Sequence, residues 1–330
     1  MKSVILEKYG SPDVLYLKEV EKPIPGDTEV LIKIHATTVT AVDSTFRRGN
    51  SIFARFATGL ARPKIRTLGT EFAGKVESTG KDVHLFETGD QIFGDSGSSY
   101  GAHAEYLTLP EQEPMAIKPD NLTFEEATGV PYGALTALPF LRDSGNIQSG
   151  QKVLINGASG AVGHFAVQLA KYYGAEVTGV CSASSAQLVK SLGADIIIDY
   201  HETDFTRSEE TYDIIFDTVG KSTFSRCKGS LKPGGIYLTT VIGIPILLQM
   251  LWTSMIGAKK AKLALTGLRP TADKKKDLLF IKKLIEAGKI KPVVDRHYSL
   301  SQIAAAHQYV ENGHKKGNVV ITLNSANLKK

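Results

Sequence analysis

Three glycines spaced three apart, Gly157, Gly160 and Gly163, follow the apolar run Val153-Leu154-Ile155. They lead into a helical pattern with Phe165, Ala166, Leu169 and Ala170 on one side. Glycine lets a backbone turn sharply and approach a diphosphate, whose charge then sits at the amino end of the helix. Strand, turn and helix in this order predict a dinucleotide-binding unit, with Gly157, Ser159, Gly160, Ala161 and Val162 around the diphosphate. The spacing is not Gly-x-Gly-x-x-Gly, and glycine-rich turns also occur at strand–helix junctions for steric reasons alone.

A second apolar run, Glu176 to Val180, follows the helix stop at Gly174 and ends in Cys181-Ser182-Ala183-Ser184-Ser185. Units that prefer NAD carry an acid about 20 residues past the turn, bonded to the adenine-ribose 2′-hydroxyl. No acid stands here. Ser182 and Ser185 hydroxyls and helix-start N–H groups suit a 2′-phosphate, so the expected cofactor is NADP(H). The same serines also suit a helix cap over Ala186–Leu192.

The elements that must hold these groups change character along the chain. Residues 1 to about 120 read as short strands and turns: Val30–Ile34, Phe72–Ser78, Asp90–Gly94 and Gly101–Leu107. That texture predicts a small β-barrel-like domain. From Thr123 strands and helices alternate, with strands at 153–156, 176–180, 196–198, 213–217, 235–239 and 262–265. Alternation at these lengths implies an α/β fold with a doubly wound parallel sheet. A helix Leu278–Ala287, a strand at Val293-Val294, a helix Ser299–Val310 and a strand Asn318–Leu323 close the pattern. The tail 324–330 is expected to be loose.

Bulk properties exclude several classes. Apolar residues make up 42% and charged residues 22%, as in a globular chain of 330 residues with room for two domains. Two cysteines, Cys181 and Cys227, argue against a disulfide scaffold and a four-cysteine zinc lobe, and fit a reducing, cytoplasmic setting. The first residues are too charged for a secretory signal. The longest apolar stretch, Ile244 to Ile256, falls short of the roughly 20 residues of a membrane span. It reads instead as a buried or pocket-lining helix, walling a substrate pocket or a dimer face. Net charge is +5, and Lys259-Lys260-Ala261-Lys262 and Lys274-Lys275-Lys276 are basic spots. Basic and aromatic residues do not interleave as a dedicated nucleic-acid site would need.

Several blocks in order resemble the medium-chain dehydrogenase/reductase superfamily, in its zinc-independent quinone-oxidoreductase-like branch. They are Gly69-Thr70-Glu71-Phe72-Ala73-Gly74, Val130-Pro131-Tyr132-Gly133-Ala134-Leu135-Thr136-Ala137 and the glycine turn. Leu192-Gly193-Ala194-Asp195, Phe216 to Gly220, Leu231 to Gly235 and Gly313 to Ile321 follow. The resemblance implies a GroES-like β-barrel catalytic domain made from both chain ends, 1–122 and 268–330. A Rossmann domain, 123–267, is inserted between them. It also implies a homodimer.

The same resemblance sets the expected roles. Zinc relatives hold their ion where Thr40, Thr70 and Tyr132 stand here, and none of these is a plausible zinc ligand. No metal is therefore expected. Tyr132 is the leading candidate to donate to a substrate carbonyl, with Thr40 and Asp43 as further catalytic candidates; Asp43 and Arg47 also suit a structural ion pair. Relatives often carry a tyrosine just after that Asp, where Ser44, Thr45 and Phe46 stand here. Thr136, Tyr200, Val219, Val241 and Asn318 are expected at the cofactor, with core burial as the plainer reading of the two valines. His103 and His164 read as ordinary core or surface residues. The implied activity is metal-free transfer of hydride from NADPH to a quinone or an α,β-unsaturated carbonyl. Rivals are an alcohol dehydrogenase or aldehyde reductase, and an NADPH-binding sensor or RNA-binding protein with little catalysis.

Overall fold

A computed structural model of the chain describes residues 1–50, 55, 58–256 and 258–323; the tail 324–330 lies outside them. Six parallel strands form one sheet, in the order Ile196–Asp199, Glu176–Cys181, Lys152–Asn156, Tyr212–Asp217, Leu231–Thr239, Lys260–Lys262. Numbered along the chain this is 3-2-1-4-5-6, the doubly wound order of a Rossmann fold. The first strand has no exposed surface on Val153, Leu154 or Ile155. A parallel strand covered on both faces reads as an unbroken apolar run for this reason. The order reverses between Lys152–Asn156 and Tyr212–Asp217, which leaves a crevice outside their carboxyl ends.

The last strand lies earlier than the expected 262–265. Ala261 faces the core at 4% exposure while Leu265 is 49% exposed, and the Ala261 amide donates to Thr253 Oγ1 at 3.1 Å. The apolar run Leu263-Ala264-Leu265 looked more strand-like than the lysine-flanked alanine that pairs.

A seven-stranded sheet is built from both ends of the chain. Glu29–Val39 pairs antiparallel with Glu71–Thr79, with Tyr106–Pro110 and with the late strand Asn318–Thr322. Val294–Ser299 runs parallel to Asn318–Thr322, joined by the crossover helix Ile303–Glu311. The expected strand Gly101–Leu107 is displaced to Tyr106–Pro110. Positive φ at Tyr100 and Gly101, 53° and 93°, breaks the extended run before it starts.

Contacts divide the chain into two units. One holds Met1–Tyr132, Pro270–Glu286 and Pro292–Lys330; the other holds Gly133–Arg269 and Ala287–Lys291. The first boundary lies about ten residues later than 122/123. Specific bonds hold that segment to the β-rich unit: Asn318 Nδ2 donates to Gly129 O at 2.9 Å, and the Tyr132 amide donates to Glu71 Oε1 at 2.7 Å. Likewise Asn121 Nδ2 donates to Ile285 O at 2.9 Å, tying in the helix Thr271–Glu286.

Candidate functional site

At the glycine turn the amides of Gly157 and Ala158 both donate to Val180 O, at 3.1 and 3.0 Å. Gly160 N donates to Gly157 O at 3.0 Å. Among the described residues the amides of Ser159, Ala161 and Val162 have no backbone acceptor. These three donors precede the helix Gly163–Tyr172, where an anion gains from both free N–H groups and the helix dipole. The backbone admits no side chain at two of the glycines. Gly157 has φ +81°, and a Cβ there would stand 2.5 Å from Val219 Cγ1; at Gly163 it would stand 2.0 Å from Gly157 O. At Gly160 the nearest atom to a Cβ is Gly157 O at 3.4 Å, so the space beside it is open. The turn fits a dinucleotide diphosphate.

The facing strand end is braced by Asp217. This buried carboxylate accepts from Asn156 Nδ2 at 3.0 Å and from the amides of Val219, Gly220 and Ser222 at 3.2, 3.0 and 2.9 Å. The Tyr237 hydroxyl lies 3.2 Å from it, and burial with the adjacent Asp217 charge raises that phenol's pKa. Thr218 Oγ1 donates to Asn156 O at 2.8 Å, locking the loop to the first strand. Val219 and Val241 are therefore not core residues: they are 46% and 49% exposed. A Cβ on Gly220 would stand 2.2 Å from Val241 Cγ2, so both valines flank the same loop. Thr136 lies half-buried on the helix Pro131–Pro139. Gly133, one turn earlier, packs so close to Ala161 O that a Cβ would lie 2.2 Å from it.

At the second strand Ser182 opens the helix Ala183–Ser191 but makes no capping bond. Its hydroxyl lies 3.1 Å from Ser184 Oγ and 3.4 Å from the buried Ser185 Oγ. The cap comes from Asp199, which pairs in register with Cys181 and accepts from the Ala183 amide at 3.0 Å and the His201 amide at 3.0 Å. An acid thus stands beside the serines after all, supplied by the neighbouring strand. Linear spacing hid it. Tyr200 follows, 45% exposed, with His201 against its ring.

In the β-rich unit the expected catalytic pair has a different task. Thr40 caps the helix Ala41–Arg48: its hydroxyl donates to Asp43 Oδ2 at 2.6 Å and accepts from the Asp43 amide at 3.2 Å. Asp43 also accepts from the Thr40 and Gly69 amides at 2.8 and 3.1 Å. Both side chains are buried and engaged, as a capping box requires. The contacts that Thr40 and Asp43 make are those of a helix cap and a backbone brace. Asp43 and Arg47 do not form an ion pair, because the buried Arg47 guanidinium bonds Gly10 O and Glu311. The buried Asn318 side-chain amide donates to Gly129 O and Val293 O at 2.9 and 3.1 Å.

Tyr132 is half-buried, and its phenol is pushed up to about 12 by desolvation and by the charges of Glu71 and Asp43. Its backbone is set by Glu71, which sequence reading treated only as part of a block. Glu71 is 1% exposed, takes the Tyr132 amide on Oε1 and is hydrogen-bonded to Thr38 through Oε2. It has no ion-pair partner among the described residues. Desolvation, aided by Asp95 and Asp43, raises its pKa to about 8, so it is a neutral acid at pH 7. Lys315, opposing it, donates to Gly317 O at 2.6 Å and is lowered to about 8 by burial. Tyr100, packed edge-on to Phe46 at 5.6 Å, is raised to about 12 by burial and by Asp43 and Asp95. It supplies a phenol near the segment that lacks the family tyrosine. His103 and His164 are buried, with ring nitrogens 2.8 Å from Thr38 O and 2.9 Å from Gly160 O.

Thr40, Thr70 and Tyr132 offer no thiolate, imidazole or carboxylate. No group of three His, Cys, Asp or Glu among the described residues is placed to hold a metal ion. The residues do not fit a resident zinc.

Residues 26–120 match the alcohol dehydrogenase GroES-like domain, and residues 192–321 match the zinc-binding dehydrogenase family. A protein of Bos taurus named NAD(P)H oxidoreductase RTN4IP1, mitochondrial, is 33% identical, with 98% of this chain and 89% of that protein covered. A 2-methylene-furan-3-one reductase of Solanum lycopersicum is also 33% identical, covering 97% of this chain and 79% of its own. The solved quinone oxidoreductase of Coxiella burnetii is 28% identical, with a TM-score of 0.87, covering 98% of this chain and 99% of that one.

The buried Glu71 makes stability pH-dependent. Between an unfolded pKa near 4.5 and a folded one near 8 the native state holds a proton that the unfolded state has lost. Its contribution therefore falls as pH rises from about 5 to 8. Glu71→Gln keeps an acceptor for Tyr132 N–H and removes the titrating group, and should flatten that fall. Urea midpoints measured at several pH values check this; parallel profiles for the two proteins would contradict it.

Proposed function

The chain belongs to the medium-chain dehydrogenase/reductase superfamily, in its quinone-oxidoreductase-like branch, and on that premise we propose that it is an NADPH-dependent, metal-free reductase of quinones or α,β-unsaturated carbonyl compounds. The observation that carries this reading is the pairing of two features. Free amides at Ser159, Ala161 and Val162 suit a dinucleotide diphosphate, while the zinc-ligand positions of the family hold Thr40, Thr70 and Tyr132. The bound nicotinamide supplies a hydride. An oxidised alcohol would need a Lewis acid to stabilise its alkoxide, whereas an electron-poor conjugated carbon accepts hydride without one.

The chain's own residues then have three tasks. The turn amides and the helix Gly163–Tyr172 hold the diphosphate; Val219 and Val241 lie against the adenosine and the nicotinamide ribose; Thr136 contacts the cofactor from its helix. Ser182, Ser185 and Tyr200 receive the 2′-phosphate. The Tyr132 phenol, protonated at neutral pH because of its raised pKa, donates to the substrate oxygen and supplies the proton that follows. Glu71 fixes the Tyr132 backbone by accepting from its amide. The names of the relatives, an NAD(P)H oxidoreductase and a 2-methylene-furan-3-one reductase, support reductive chemistry.

The test is NADPH oxidation by the chelator-treated protein against quinones, enones and aldehydes, with product analysis on one enone. Turnover that the chelator leaves intact, with the C=C bond reduced, supports the reading; reduction of C=O or a requirement for zinc overturns it. Tyr132→Phe should lower kcat by about 10- to 100-fold with unchanged NADPH affinity, and unchanged kcat would remove Tyr132 from the chemistry. Asp199 works against the phosphate. Removing its charge, at a separation of several ångströms in high dielectric, is worth roughly 1 kcal/mol, or about fivefold. Asp199→Asn should therefore lower KM for NADPH by about that factor relative to NADH; an unchanged ratio would mean that the 2′-phosphate lies elsewhere.

A further inference from the structure

Tyr100 holds a backbone conformation that its residue type avoids. Its φ is 53° and its ψ −153°, next to a region that is essentially reserved for glycine. Asn146 and His314 are the other non-glycine residues with positive φ among the described residues, and both types tolerate it better than a bulky aromatic. The surroundings impose it. Before Tyr100 the Ser96 amide donates to Thr70 O at 2.7 Å. After it the Gly101 and Ala102 amides donate to Thr67 O and Gly69 O at 3.2 and 3.1 Å. One short segment, 67–70, thus pins both sides of the bend. A glycine at position 100 would make the same bend without strain.

What the strain positions is a phenol. The half-buried ring packs edge-on to Phe46 at 5.6 Å, and that contact accounts for the ring alone. The hydroxyl has no hydrogen-bond partner among the described residues. Other tyrosines withdrawn from water do find one. Tyr9 lies 2.8 Å from Thr58 Oγ1, Tyr237 3.2 Å from Asp217 Oδ2 and Tyr309 2.7 Å from Asp295 Oδ2. Tyr132 shares the exception, since its hydroxyl also lacks a partner among the described residues. Both phenols feel the charge of Asp43, and Asp95 adds to it at Tyr100. Asp43 lies in the helix that carries Phe46, and Asp95 is hydrogen-bonded to Thr70. Two half-buried, unpartnered phenols therefore border the same carboxyl groups, in the unit that also holds Thr40 and Thr70.

We propose that Tyr100 is a second substrate-contacting residue of the site, its hydroxyl donating to a carbonyl oxygen of the acceptor alongside Tyr132. This inference rests on the reading that Tyr132 faces the substrate. When hydride reaches a conjugated carbon, the π electrons move toward the carbonyl and negative charge develops on its oxygen. A donor already fixed in place stabilises that charge without reorganising. Burial beside Asp43 and Asp95 raises the Tyr100 phenol to about 12, so it keeps its proton and acts as a donor only. The pinned bend holds that donor still. A purely structural role fits worse, because phenylalanine would fill the same space against Phe46 and glycine would relieve the backbone.

Tyr100→Phe removes the hydroxyl and breaks no hydrogen bond within the described residues, so a packing role predicts no effect. With saturating NADPH and 1,4-naphthoquinone or an enone as acceptor, the variant should lose at least about tenfold in kcat/KM. Its NADPH affinity and thermal midpoint should match those of the unaltered protein. Tyr16→Phe, at a ring 41% exposed on the strand Leu15–Glu19, serves as the control and should change nothing. Equilibrium dialysis of 1,4-naphthoquinone against the NADP+ complex supplies a readout without turnover, and Tyr100→Phe should weaken that binding severalfold. Unchanged kcat/KM with unchanged quinone binding would overturn the proposal. If the unaltered protein binds naphthoquinone but reduces neither acceptor, the assigned reaction fails and dialysis still decides on Tyr100. Weaker binding by the variant then upholds its contact with the ligand, and equal binding removes it. An unaltered protein that neither binds nor reduces the quinone or the enone overturns both.

Discussion

A carboxylate held out of water needs donors in place of its hydration shell, and Asp217 obtains them from the loop that follows it. Three backbone amides, those of Val219, Gly220 and Ser222, donate to one side chain. Asn156 on the adjacent strand completes the set. The loop is thereby fixed against the glycine turn at the point where the strand order reverses. Without that brace Val219 and Val241 would have no reason to remain half in solvent. With it, Val219 packs against the glycine turn and Val241 against the loop, which sets apolar side chains near unpaired amides, the mixture that a dinucleotide with a charged centre and flat rings calls for.

The same economy of donors governs the β-rich unit. Thr40 and Asp43 close a capping box, Asp43 also holds the Gly69 amide, and Glu71 holds the amide of Tyr132. The segments that carry Thr70 and Tyr132 are thus positioned by buried carboxyl groups. One of those carboxyls, Glu71, is neutral at pH 7 because burial outweighs its two hydrogen bonds. The Tyr132 phenol is kept protonated first by its own burial, which raises its pKa to about 12.

Patterns local in sequence were the legible ones. The Val153–Ile155 run, the glycine turn and the alternation of strands and helices follow from side-chain periodicity and backbone freedom, and the sheet order agrees with them. Blocks at both chain ends pointed to one β-rich unit, and Asn318–Thr322 does pair with Glu29–Val39. What spacing could not show was contact between distant strands. Asp199 lies far from Ser182 along the chain but beside it in the sheet, so the absence of an acid after Val180 describes that strand alone and not its neighbour. Asn318 and Thr40 resembled ligand-facing polar residues, yet backbone groups that only the fold brings near take up their hydrogen bonds. The helix Ile244–Met255 carries an outward apolar row, and composition alone does not choose between a pocket wall and a dimer face for it.

Hydrogen–deuterium exchange with and without NADPH tests the cofactor site most directly, since it needs no substrate and no variant. The account predicts slowed exchange at the amides of residues 158–163 and in the Asp217-braced loop 218–222, with the remainder of the sheet unchanged. NADPH binding that leaves both segments unprotected would contradict it.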